Sequence, residues 1–263
     1  MGSDGRTGAA DAGAGVPRRK VESWLAACLE PDRFKDYCPN GLQVEGTPRV
    51  AFVASGVTAS LAFMRAAARA GADTLLVHHG WFWRGEDPRV VGPQRERLAL
   101  ALGRRMNLFA YHLPLDVHPE LGNNAQLALR LGWRIDGRFG DEGLGCWHDL
   151  PAAQPLPAVV SGIGAALGRE PLLLGRSPRR VRRVAWCTGA AQDMIVLAAR
   201  AGADVFVSGE VAERTTHLAR ELGIAYVAAG HHATERYGVQ ALGARLAADL
   251  GLRHRFFDDP NPV

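Results

Sequence analysis

Two stretches of this chain follow one pattern. Arg49-Val-Ala-Phe-Val-Ala-Ser-Gly56 leads to Ala68-Arg-Ala-Gly-Ala-Asp73, and Arg183-Val-Ala-Trp-Cys-Thr-Gly189 leads to Ala199-Arg-Ala-Gly-Ala-Asp204. Each reads as a short buried strand, an alanine-rich helix stopped by glycine, and the start of a second strand. The first copy runs into Asp73-Thr-Leu-Leu-Val-His-His-Gly80 and the second into Ser208-Gly-Glu210, so His79 aligns with Glu210. Each copy then passes through a helix to another apolar strand. Those strands, 107–112 and 223–230, both run into polar clusters: His112 through Asp116, and His231-His-Ala-Thr-Glu235. A strand–helix–strand unit used twice predicts an α/β fold built from two similar α/β domains.

The length of 263 residues accommodates two modest domains or one large one. Hydrophobic residues at 47% and charged residues at 22% match an ordinary globular core and surface. No apolar stretch reaches the ~18 to 20 residues that span a bilayer. The Gly- and Ala-rich start lacks the apolar segment of a signal peptide, and a disordered tail is expected over 1–19. The first domain is then 20–132, completed by 230–263, and the second is 133–229. Cys28, Cys38, Cys146 and Cys187 are scattered without a CxxC, which fits reduced thiols and a cytoplasmic location. The net charge of +4 gathers partly in Arg176-Ser-Pro-Arg-Arg-Val-Arg-Arg183, which reads as a solvated loop. Without interleaved aromatics or a known motif it does not predict nucleic-acid binding.

The chemistry collects at strand ends, where open α/β sheets place their ligands. His78, His79, His112, Asp116, Glu210, His217, His231, His232 and Glu235 fall at or near such ends. His231 and Glu235 are four apart, which puts them on one face at the start of a helix. Imidazoles with carboxylates suit Zn, Fe, Mn, Co or Ni. So many donors exceed one tetrahedral zinc site and suit two divalent ions. Two metals ~3.5 to 4 Å apart can acidify a shared water and stabilise charge on a substrate, which is hydrolytic chemistry. Glu235 or Asp116 is expected to bridge, with Glu210 or His112 orienting a ligand or moving a proton. His217 reads as structural or interfacial, His118 and His254 as surface residues, and His148 as a strand-surface residue. The Trp81-Phe-Trp83 loop reads as a pocket wall or an oligomer contact. No glycine elbow presents a nucleophile, and no GxGxxG or Walker loop is present.

Taken in order, Asn40-Gly-Leu-Gln-Val-Glu-Gly46, His78-His-Gly80, His112-Leu-Pro-Leu-Asp116 with Gly122-Asn-Asn124, Ser208-Gly-Glu210 and Gly230-His-His-Ala-Thr-Glu235 resemble the NIF-three-like family. These are the dinuclear metal centre proteins that carry the label GTP cyclohydrolase 1 type 2 homolog. The resemblance runs from about Val21 to the C-terminus, in the short bacterial form without an inserted domain. It implies two α/β domains with a site between them, a toroidal homohexamer, and His78, His79, Asp116, His231 and Glu235 as metal ligands. His232 stands where the family often has Tyr and is expected to line the pocket without ligating. The resemblance leaves two functions open: a metal-dependent hydrolase acting on a small polar substrate, and a non-catalytic metal-binding scaffold.

Overall fold

A computed structural model describes residues 15–175 and 180–263. Most of the expected tail, residues 1–14, and residues 176–179 of the basic run lie outside them. The order is β1 (Val16–Pro17), α1 (Arg18–Leu29), β2 (Gly41–Val44), β3 (Arg49–Val50), β4 (Phe52–Thr58), α2 (Leu61–Arg69), β5 (Thr74–His79), α3 (Gly92–Gly103), β6 (Asn107–Ala110), α4 (Leu113–Val117) and α5 (Asn123–Leu131). There follow β7 (Gly137–Phe139), β8 (Gly145–Pro155), α6 (Leu156–Leu167), β9 (Leu172–Gly175), β10 (Arg180–Trp186), α7 (Ile195–Arg200), β11 (Val205–Ser208), α8 (Glu213–Leu222), β12 (Ala225–Ala228), α9 (His231–Leu250) and β13 (Arg253–Phe256). Residues 16–19 correct the expected tail: Val16 and Pro17 pair with Val50 and Arg49, and α1 begins at Arg18.

Besides the β1-β3 pair, two larger sheets form, ordered β13-β4-β5-β6-β2 and β7-β8-β10-β11-β12-β9. Each has three consecutive parallel strands at its heart, β4-β5-β6 and β10-β11-β12. The repeat persists at the level of single hydrogen bonds. Asp73 Oδ2 accepts the amides of Ala51 and Phe52, both at 2.9 Å. Asp204 Oδ2 accepts those of Arg182 and Arg183 at 2.7 and 2.9 Å. The same aspartates each offer their carbonyl to the first residue of the third strand, Asn107 and Ala225. A carboxylate that ties off the start of the neighbouring strand fixes the register in both copies.

The strand β5 lies at the centre of the first sheet, and its side chains alternate between faces. Leu75 and Val77 join α2 and α3 on one face, while Leu76 joins α1 and α9 on the other. Each of the three is at most 1% exposed, worth roughly 1.5–3 kcal/mol apiece in burial. Nothing in this strand can slip without exposing that set, so the two histidines at its end are fixed in space. The long helix α9 also packs on the first sheet, and β13 adds a parallel strand beside β4. All four cysteines are free, and no helix among the described residues is long and apolar enough to cross a membrane.

The polar cluster after His112 lies on a short helix, α4. Several local expectations change. His148 is buried at 3% exposure and bonded to Asp136, so it is not on the strand surface. His254 and His118 are half-buried, held against Ser55 Oγ at 2.7 Å and Cys28 Sγ at 3.6 Å.

Candidate metal centre

Four segments converge on one spot. The end of β5 supplies His78 and His79, the start of α4 supplies His112 and Asp116, the loop after β11 supplies Glu210, and the first turns of α9 supply His231 and Glu235. Gly230, with φ of 99°, makes the sharp entry that aims α9 at the other segments. His231 is the first residue of the helix, so Glu235 lies one turn below it with Nε2 to Oε2 at 2.9 Å.

Each imidazole is held from behind by Nδ1. That of His78 lies 2.9 Å from the Tyr111 carbonyl, and that of His79 lies 3.2 Å from Thr58 Oγ1. In His112 and His231 the Nδ1 partners are carboxylates, Asp36 at 2.7 Å and Glu210 at 2.6 Å. This arrangement fixes the ring orientation and frees Nε2 for the centre, as metal-ligating histidines require. Glu235 is shared: Oε1 lies 3.5 Å from His78 Nε2, and Oε2 lies 3.1 Å from His79 Nε2. Two groups with donor atoms mutually within 4.8 Å therefore meet on one carboxylate, His78–Asp116–Glu235 and His79–His231–Glu235. Glu235 Oε2 is buried and accepts no well-formed hydrogen bond despite its close imidazoles. An orphaned carboxylate oxygen among inward-facing Nε2 atoms fits a cation between them. The residues present thus fit divalent-metal binding, with two candidate ligand groups that share Glu235.

Asp116 is braced by Asn123 Nδ2 at 2.8 Å and lies 3.4 Å from Thr188 Oγ1. The ring centroid of His112 is 5.1 Å from that of His78, and the Trp83 ring lies edge-on to it at 4.9 Å. His112 groups with His78 and His79, and also with Asp36 and Cys38. Burial and the Asp36 charge push the Cys38 thiol up to about 12, which makes it a poor ligand. His217 is away from the centre, exposed on α8 and 3.2 Å from Glu213. His232 does not line this pocket; it faces Asp258 at 2.9 Å in a cleft formed with the C-terminal segment.

Sequence reasoning passed over Asp36, Thr58, Thr188 and Gly189. Asp36 accepts from the Leu113 amide as well as engaging His112, while Asn40 bonds both Asp36 and the His112 amide. Thr188 and Gly189 close the second repeat copy, so their place beside the first copy's strand end was the available signal. Gly189 has φ of 68°, and a Cβ there would overlap Glu235 Oε1 and lie 3.2 Å from His231 Nε2. Gly189→Ala should cost about 1–3 kcal/mol in stability and weaken metal retention at least ~10-fold. Thermal melts and metal content after dialysis would check this.

The charges explain how the ligands rest without metal. Burial works against protonated His78, but Asp116 and Glu235 outweigh it and raise the pKa to about 9. Burial likewise opposes protonated His231, and Glu235 with Glu210 raises it to about 9. In His79 burial prevails and lowers the value to about 4. Glu235 is held well below the usual carboxylate range, because the surrounding imidazoles outweigh its burial. Cations need neutral imidazoles and an ionised Asp116, which burial raises, so metal binding at pH 7 should release protons, those of His78 and His231 among them. Affinity should fall as pH drops below about 9, where His78 and His231 take up protons. Calorimetry in buffers of different ionisation enthalpy would count them; a proton count of zero would contradict this charge assignment.

Beside the centre lies a cleft of about 480 Å³, lined by His112, Asp116, His231 and Glu235 on one side and by Leu144, Met194 and Leu197 on another. Residues 16–262 match the model of the family Duf34/NIF3 (NGG1p interacting factor 3). A Pseudomonas aeruginosa protein named GTP cyclohydrolase 1 type 2 homolog is 51% identical over 238 residues, covering 89% of this chain and 94% of the relative. The solved structure of protein ybgI, described as of unknown function, superposes with a TM-score of 0.91 at 48% identity, covering 94% of this chain and 100% of that one. The Thermus thermophilus protein TTHA1606 gives a TM-score of 0.87 at 36% identity, over 94% of this chain and 100% of that one. The chain belongs to the DUF34/NIF3 family.

Proposed function

We propose that this chain binds two divalent metal ions and catalyses hydrolysis of a small polar substrate. The observation that carries the reading is Glu235, which faces His78 through one oxygen and His79 and His231 through the other. His78, Asp116 and Glu235 would hold one ion, and His79, His231 and Glu235 the other. Such a pair supplies Lewis acidity and a more acidic water. The chain's own groups do the rest. Asp36 orients His112, and Glu210 orients His231, each by a short carboxylate–imidazole bond. His112 lines the cleft with its Nε2 free of the Asp36 bond, so it can take or return a proton at the substrate. Leu144, Met194 and Leu197 keep that side of the cleft apolar.

The relatives' name makes GTP the first substrate to test. Asp141 and Asp193 line the cleft and no lysine or arginine does so among the described residues. Uncharged amides and cyclic amidines therefore belong in the same screen. Metal-loaded protein should turn over at least one of these compounds, and the Asp116→Asn variant should not. Absence of metal-dependent turnover on any hydrolysable compound would favour a binding scaffold. We also propose that the subunits assemble as a toroidal homohexamer. Exposed Leu129, Leu172 and Leu173 offer apolar contact surface. Light scattering that returns a monomer mass would reject this.

A further inference from the structure

The second sheet carries a cleft distinct from the metal centre. It has a volume of about 660 Å³ and is bounded by the C-terminal end of α5, the strand β8 and the helix α6. Its floor is apolar, formed by Leu131, Leu150 and Ile163. Set into the wall is His148, only 3% exposed. Its Nδ1 is bonded to Asp136 Oδ2 at 2.6 Å, and its Nε2 has no hydrogen-bond partner in the described structure. The imidazole is thus fixed from behind by Asp136, with Nε2 as its remaining polar atom in a residue that lines the cleft. At the rim stand Arg130 and Arg134. The Arg130 Nε donates to the Ala166 carbonyl at 3.2 Å, and its guanidinium also lies over the Tyr237 ring, 5.4 Å from the centroid. The Arg134 side chain is 80% exposed and only loosely associated with Asp136, at 3.7 Å. Asp136 itself is engaged by His148 and by the Asp149 amide.

We propose that this cleft is a second small-molecule site, selective for an organic anion with an apolar body. The body lies on Leu131, Leu150 and Ile163, the anionic head meets the rim arginines, and a polar group along the body meets His148 Nε2. The volume falls within the ~300–1,000 Å³ of small-ligand pockets. A planar guanidinium fork suits carboxylate and phosphate monoester heads alike.

The test uses the full-length protein, one fluorescent probe and two competitors. Fluorescence of 8-anilinonaphthalene-1-sulfonate is titrated, then competed with decanoate and, separately, with decanol. Gly162 lies on the α6 wall, and a Cβ built there meets nothing within 4 Å. Gly162→Phe should therefore fill the cleft and leave the fold intact, which circular dichroism would verify. Wild-type protein should show saturable binding that decanoate displaces at concentrations at least ~10-fold below decanol. Gly162→Phe should weaken decanoate at least ~10-fold, and Arg134→Glu several-fold, with the wild-type affinity falling as salt rises. Decanoate binding unchanged in a folded Gly162→Phe variant would overturn the site. Equal competition by decanol would overturn the anionic class. Absence of saturable binding would overturn both.

Discussion

Glu235→Gln should strip the chain of both of the proposed metal ions, whereas Asp116→Asn should strip one. The difference follows from the sharing of Glu235 between the two ligand groups, while Asp116 belongs to only one. Loss of a partner that merely supports a ligand costs ~10–100-fold in affinity, so loss of the bridge should cost more at both positions. Elemental analysis after dialysis would read about two ions per wild-type chain, one in Asp116→Asn and none in Glu235→Gln. Two ions retained in Glu235→Gln would overturn the bridge. The metal-free variant should also be the less stable protein. In the metal-free wild type, His78 and His231 are raised to about 9 and Glu235 is lowered from 4.5. A raised histidine contributes fully below its unfolded value of about 6.5 and loses that contribution as pH rises toward 9. A lowered glutamate contributes above 4.5 and loses that contribution as pH falls through its folded value. The destabilisation should therefore peak between pH 4.5 and 6.5 and shrink on either side.

Why the sequence was informative about this site lies in the alternation of β5. Leu75, Leu76 and Val77 must be buried, so His78 and His79 can only stand at a strand end, and the duplicated Asp73 and Asp204 set both copies in the same register. His231 and Glu235 were legible because four residues are about one helical turn. Asp36 was not legible: it lies in an irregular segment far from His112 in sequence, and no periodicity links them. Gly189 was hidden for a different reason. Its requirement is an empty volume beside Glu235, and a sequence records side chains without recording the space another residue needs. His148 was misplaced because strand position alone does not say which face a neighbouring helix covers. Here α6 packs against β8, which carries it, and Asp136 supplies its partner.

Trp186→Ala should be the most destabilising single change in the second sheet, and its effect should reach the metal centre. Trp186 ends β10 between Cys146 of β8 and Val207 of β11, is fully buried, and packs against Trp133 with ring centroids 5.4 Å apart. Removing so large a core side chain costs about 3–5 kcal/mol. Its indole N–H also donates to the Asn124 carbonyl at 3.1 Å, a bond that alanine abandons. An orphaned buried carbonyl adds about 1–3 kcal/mol, unless water reaches it. Asn124 is the connection to the site. Its side chain donates to the Asp116 carbonyl at 3.2 Å and accepts from the Thr188 amide at 3.1 Å. A loosened Asn124 therefore frees both Asp116 and the Thr188–Gly189 turn that borders Glu235. Urea denaturation should show the loss directly, with Trp186→Phe retaining more than half of the packing contribution. Under conditions where both variants remain folded, Trp186→Ala should bind the ion at Asp116 roughly 10-fold more weakly. The ion held by His79 and His231 should be affected less. Equal affinity of Trp186→Ala and wild type at the Asp116 position would show that Asn124 is held well enough by its own side-chain bonds, and would break the proposed link between this core and the centre.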